Sequence, residues 1–83
     1  YTYSDPILNE HMAAKRLIKD GKYADAAVLL DNLESKKTQA NIGAFVLFRI
    51  YADLEHCHKE LRNFELAYRY SGKRLSLLSA FRT

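Results

Sequence analysis

Proline, glycine, cysteine and tryptophan are scarce in this chain: one Pro, three Gly, one Cys and no Trp among 83 residues. So few helix breakers exclude a loop-rich or low-complexity chain. A lone cysteine excludes an intramolecular disulfide and suits a reducing compartment, so a cytoplasmic setting is expected. Long apolar runs are also missing. Runs such as Ala44–Phe48 are far too short for a membrane span, and no signal-peptide pattern is visible. Nor is there a dominant sign of charge: 13 Lys and Arg face 10 Asp and Glu. Up to residue 42 the signs balance at six each, and beyond it seven basic residues face four acidic ones. That is a mild tilt, not the dense basic stripe of a nucleic-acid binder.

What is present is a hydrophobic fraction of 48%, enough for a packed core and against disorder. A chain this short buries only about 60–65% of its unfolded surface, so one efficient core, or help from neighbours, is required. Residues 1–83 read as a single domain. The chain opens "YTYSDP" without a Met, and a piece excised from a longer protein is expected.

Periodicity points to four helices. Asp5 and Pro6 suit a helix start, because the carboxylate can cap free amides and Pro has no amide to leave unpaired. Leu8, Met12, Ala13, Leu17 and Ile18 then recur at helical spacing up to Gly21, a residue suited to the left-handed stop. A second helix is expected from Lys22 to Leu33, with Tyr23, Ala26, Ala27, Leu30 and Leu33 on one stripe. "ESKKTQAN" (34–41) has no hydrophobic period and reads as a loop. A third helix starts around Gln39–Ile42. Its first half, apolar nearly all round, is expected to be enclosed on several sides. Asn63 is a plausible cap for a fourth helix whose apolar side carries Phe64, Ala67, Tyr68, Ser71, Leu75 and Leu78. Gly72 inside that helix costs roughly 1 kcal/mol relative to Ala, which implies either a close neighbour or a weak point. The fold class expected is all-α: an antiparallel helix-hairpin array of about four helices, in pairs spanning about 6–33 and 40–80.

"GKYADAAVLL" (21–30) and "RNFELAYRYS" (62–71) align at Ala26 and Ala67, each preceded at three positions by an aromatic, Tyr23 and Phe64. With Ala13, Ala14, Leu17, Leu30 and Leu33 in the first pair, and Tyr51, Leu54 and Ser71 in the second, the pattern resembles the tetratricopeptide repeat. That resemblance implies a TPR-like solenoid fragment in which small residues let two helices cross and an aromatic wedges between them. Tyr23, Tyr51 and Tyr68 would be the wedges. The departures are Glu55 where a small residue is usual, Arg62 where glycine is common, Arg74 where alanine is usual, and a spacing of 41 rather than the family's 34. Stretched repeats of this kind are similar to those of bacterial signalling and regulatory proteins.

Catalytic chemistry finds little support. "HCH" (56–58) resembles a ligand cluster, but helical ligands must sit three or four positions apart to converge, and consecutive residues fan outward by about 100°. One of the three is expected to pack and the others to face water. Cys57 has no base aimed at it. Asp53, Glu55 and Glu60 read as surface pairs with Arg49, Lys59 and Arg62. No phosphate-binding glycine loop is present. The expectation is no enzyme, no metal and no cofactor.

The resemblance implies a concave groove lined by the first helix of each pair. Position by position, it would be formed by Leu8, His11, Lys15 and Ile18 with Arg49, Ala52, His56 and Lys59. A wall that is mostly cationic and partly apolar suits an acidic peptide or partner helix with a hydrophobic anchor; a solvated, non-binding face is the bland alternative. Leu75, Leu77, Leu78 and Phe81 give the last helix more hydrophobes than a free outer helix needs, so it would meet further chain or a second copy. The alternative function is a small helical nucleic-acid-binding domain using the basic C-terminal half. Its candidates are Arg69, Lys73 and Arg74, with Arg82 beyond and Tyr70 as a base contact; a partly exposed surface tyrosine is the plainer reading of Tyr70.

Overall fold

Two tight turns of the same design set the architecture. Gly21 and Arg62 both adopt the left-handed backbone conformation, with φ of 80° and 65°. At the first turn, Lys22 N–H donates to the Leu17 carbonyl (2.8 Å) and Gly21 N–H to that of Ile18 (3.0 Å). At the second, Asn63 N–H donates to His58 (2.7 Å) and Arg62 N–H to Lys59 (3.1 Å). These crossed bonds satisfy the last carbonyls of each preceding helix and turn the chain back on itself. Glycine adopts this backbone without cost; Arg62 does so against the usual penalty for a Cβ.

The computed structural model describes residues 5–37 and 42–81, with side chains described for 7–37 and 42–79. It is all-α: α1 (Asp5–Lys19), α2 (Tyr23–Ser35), α3 (Ala44–Glu60) and α4 (Phe64–Phe81), with no strand among the described residues. Each helix packs chiefly on its neighbour in sequence, and α1 also touches α3, so two helical hairpins lie side by side. No helix among the described residues is long and apolar enough to cross a membrane.

The core runs through α1, α2 and α3. Leu30, Leu33, Ile50, Leu54 and Cys57 are its largest fully buried side chains. Burying each of the aliphatic ones stabilises the fold by about 1.5–3 kcal/mol. Ala14 and Ala26 are also fully buried and Ala67 nearly so, small enough to let helices approach.

Several expectations are corrected. In α1, Ile7, His11 and Ala14 are buried, while Leu8 and Met12 are exposed, so the inward stripe is shifted by one position. The helix α2 continues through Ser35, into the segment read as a loop, because the polar residues Glu34 and Lys37 have partners across the fold. The helix α3 begins at Ala44, after Gly43 in extended conformation, and not at 39–42. Its first half is not enclosed all round, since Phe45 is 66% exposed. In α4 the inward residues are Ala67, Tyr70 and Leu77, whereas Phe64, Tyr68 and Leu75 face outward. Both stripes have helical spacing, and it is the first of them that packs on the rest of the fold. Tyr1, Tyr3, Gln39–Asn41 and Arg82, and the side chains of Asp5, Pro6 and Phe81, lie outside what is described.

Candidate functional site

The helices proposed to line a groove, α1 and α3, are joined by one carboxylate. Asp53 Oδ2 accepts hydrogen bonds from His11 Nε2 (3.2 Å) and Lys15 Nζ (3.1 Å). Burial alone would raise the Asp53 carboxyl, but the bonds from His11 and Lys15 outweigh it and hold the group below its ordinary value. The sequence reading paired Asp53 with cations of its own helix; the crossing of α1 over α3 gives it these instead. His11 is only 4% exposed, so it braces the two helices and does not line a groove. Lys15 is half-buried and its charge is matched.

The other candidates divide by exposure. Ile18 packs against the core, Ala52 is half-buried, and Leu8 is exposed at the edge of α1. Arg49, His56 and Lys59 are exposed on α3. The His56 ring meets Tyr23 edge-on, with centroids 5.5 Å apart, which makes Tyr23 a wedge between α2 and α3. Arg49 and Lys59 have no ion-pair or hydrogen-bond partner among the described residues. Phe45, Arg49, Ala52, His56 and Lys59 follow one another at helical spacing, so α3 presents an apolar head followed by cations along one stripe. The sequence reading missed Phe45 because an all-round apolar segment gives no phase.

A second polar cluster ties α2, α3 and α4. Tyr51 donates to Glu34 Oε2 (2.9 Å), which also accepts from Lys37 Nζ (2.9 Å), while Lys73 lies 3.6 Å away. Burial would raise the Glu34 carboxyl, yet the bonds from Lys37 and Tyr51 and the Lys73 charge hold it low. Tyr70 donates to Asp31 Oδ1 (2.9 Å) and stacks on His58 at 5.6 Å with an interplanar angle of 8°. Burial first, then the bond to Asp31, pushes its phenol up to about 12. Tyr70 is therefore an interhelical wedge and not a free surface tyrosine, while Tyr68, expected as a wedge, is 83% exposed.

The basic residues of α4 each lie near a carboxylate, the one beside Lys73 being shared with Lys37. Arg69 pairs with Glu65 at 3.7 Å, Lys73 with Glu34, and Arg74 with Glu55 at 2.8 Å. The last pair joins two departures noted in the sequence. The residues forty-one positions earlier are Ala14 and Leu33, both fully buried, so the second hairpin replaces an apolar set with an ion pair.

Around "HCH", Cys57 and His58 are both buried and only His56 is exposed, so two of the three pack where one was expected. No group of three His, Cys, Asp or Glu among the described residues could hold a metal ion. Burial, with the Asp53 and Asp31 charges adding to it, pushes the Cys57 thiol up to about 11. A fully buried, protonated thiol is a poor nucleophile. No protein-family model, curated protein or solved structure matches this chain.

Proposed function

We propose that this chain is a non-catalytic protein–protein interaction scaffold, a TPR-like module of a regulatory or signalling protein. It would hold an acidic peptide or partner helix against α3 and the edge of α1. The observation that carries this is the α3 stripe, in which exposed Phe45 precedes Arg49 and Lys59, two cations unpaired among the described residues. An apolar anchor next to unneutralised positive charge suits a peptide that carries a large hydrophobe followed by carboxylates. The matching turns at Gly21 and Arg62 support the repeat reading, since the same bonds recur forty-one residues apart. The contact surface is narrower than the sequence implied: Leu8, Phe45, Arg49, Ala52, His56 and Lys59 belong to it, whereas His11, Lys15 and Ile18 serve packing.

The nucleic-acid alternative loses its main support, because Arg69, Lys73 and Arg74 are each paired with a carboxylate. The test is fluorescence anisotropy with a labelled peptide in which Phe and Leu precede a run of Glu. Saturable binding is expected, weakened about tenfold by Arg49→Glu with Lys59→Glu and reduced by added salt. Binding that ignores both changes contradicts the assignment.

A further inference from the structure

The stripe on α3 runs as one straight line. Phe45, Arg49, Ala52, His56 and Lys59 follow one another at steps of four, three, four and three. On a helix of 3.6 residues per turn, those steps keep all five within about 80° of one another over about 21 Å. They are also the steps by which one helix packs lengthwise on another. Ala52, half-buried at the middle of the line, has only a methyl group to hold a second backbone away. The hydrophobe stands at one end, with Phe45 66% exposed.

The polar groups on the line select the form of chain that it can receive. An extended peptide carries an unpaired N–H and C=O at every residue, and those it turns to a protein surface need both donors and acceptors there. About six extended residues cover the same length. Arg49 and Lys59 can only donate, and His56 accepts at no more than one ring nitrogen. Of the three carboxylates of α3, Asp53 already accepts from His11 and Lys15, and Glu55 is paired with Arg74 at 2.8 Å. The third, Glu60, is the last residue of the helix and lies at the Lys59 end. The N–H groups of an extended peptide would find no free protein acceptor along most of the line. A helix satisfies its own backbone and presents side chains alone. Side chains are what the line recognises, through one ring and two unpaired positive charges.

We infer that the partner segment held by α3 is an amphipathic α-helix lying lengthwise along the Phe45–Lys59 line. This rests on the peptide-binding reading above and adds the form and register of the ligand. The ligand helix sets a hydrophobe against Phe45. It carries carboxylates four and fourteen positions later on the same face, as Arg49 and Lys59 follow Phe45. A small residue seven positions after the hydrophobe, opposite Ala52, lets the helices meet.

Two labelled peptides of about 20 residues, titrated with the full chain and followed by fluorescence anisotropy, test this. Both carry Phe, with Glu four and fourteen positions later, on an Ala- and Gln-rich background. The second has Pro nine positions after the Phe, on the outer face, where it breaks the helix without touching the protein. The helical peptide should bind at least about tenfold tighter, and its Cα chemical shifts should become more helical on binding. A charge exchange checks the register. Arg49→Glu should weaken the helical peptide about tenfold, and Lys in place of the first Glu of the peptide should restore binding, whereas the same Lys two positions further on should not. A Pro peptide that binds as tightly, Cα shifts without helical gain at saturation, or rescue that ignores position overturns the helical ligand and leaves peptide binding in place. Absence of saturable binding by either peptide overturns both.

Discussion

Asp53 is the residue on which the α1–α3 crossing turns. It accepts two hydrogen bonds from α1, and its carboxyl is held below the ordinary value of 3.8. A depressed carboxyl contributes stability that is complete above the unfolded value and is lost as pH falls through the folded one. Glu34, held below 4.5 by Lys37, Tyr51 and Lys73, acts in the same direction. Stability should therefore fall below about pH 4.5, and Asp53→Asn should flatten that acid limb in denaturant titrations at several pH values. An unchanged limb would show that the bonds to His11 and Lys15 add nothing to the fold.

At the scale of the element, the two turns make opposite predictions. Gly21→Ala places a Cβ at φ of 80° and should lower stability by about 1 kcal/mol, whereas Arg62→Gly relieves the same conformation and should raise it by a similar amount. Thermal midpoints that move together contradict the turn assignment. A second test concerns the Glu55–Arg74 pair. Glu55→Ala alone should cost about 1–2 kcal/mol by leaving Arg74 partly buried and unpaired, and adding Arg74→Leu should recover much of it. The helices and the first turn were legible in the sequence because Gly21 and the 3.6-residue spacing of Ala26, Leu30 and Leu33 act locally. The inward face of α4 was not, because Phe64, Tyr68, Leu75 and Ala67, Tyr70, Leu77 are both helical stripes and only tertiary contact chooses between them. The polar cluster of Glu34, Lys37 and Tyr51 was hidden for a related reason: Tyr51 lies fourteen and seventeen residues from Lys37 and Glu34, which read locally as part of a polar loop.

At the scale of the whole molecule, half of the Lys and Arg side chains among the described residues are ion-paired (Lys15, Lys36, Lys37, Arg69, Lys73 and Arg74), and those without a partner include Arg49 and Lys59 on α3. The candidate groove was half legible. Of the residues that the resemblance assigned to a groove, Arg49, His56 and Lys59 are exposed on α3, while His11 is buried and, like Lys15, bonded to Asp53, a long-range partner no local pattern announces. Two stripes stand out among the exposed residues: Phe45–Lys59 on α3, and Phe64, Tyr68 and Leu75 on α4. We propose that the first of these receives an acidic, hydrophobe-bearing peptide. Backbone amide chemical-shift mapping of the full chain during peptide titration tests it most directly. Shifts concentrated at Phe45, Arg49, Ala52, His56 and Lys59, with Leu8 beside them, are predicted. Shifts confined to α4, or none at saturating peptide, would contradict it.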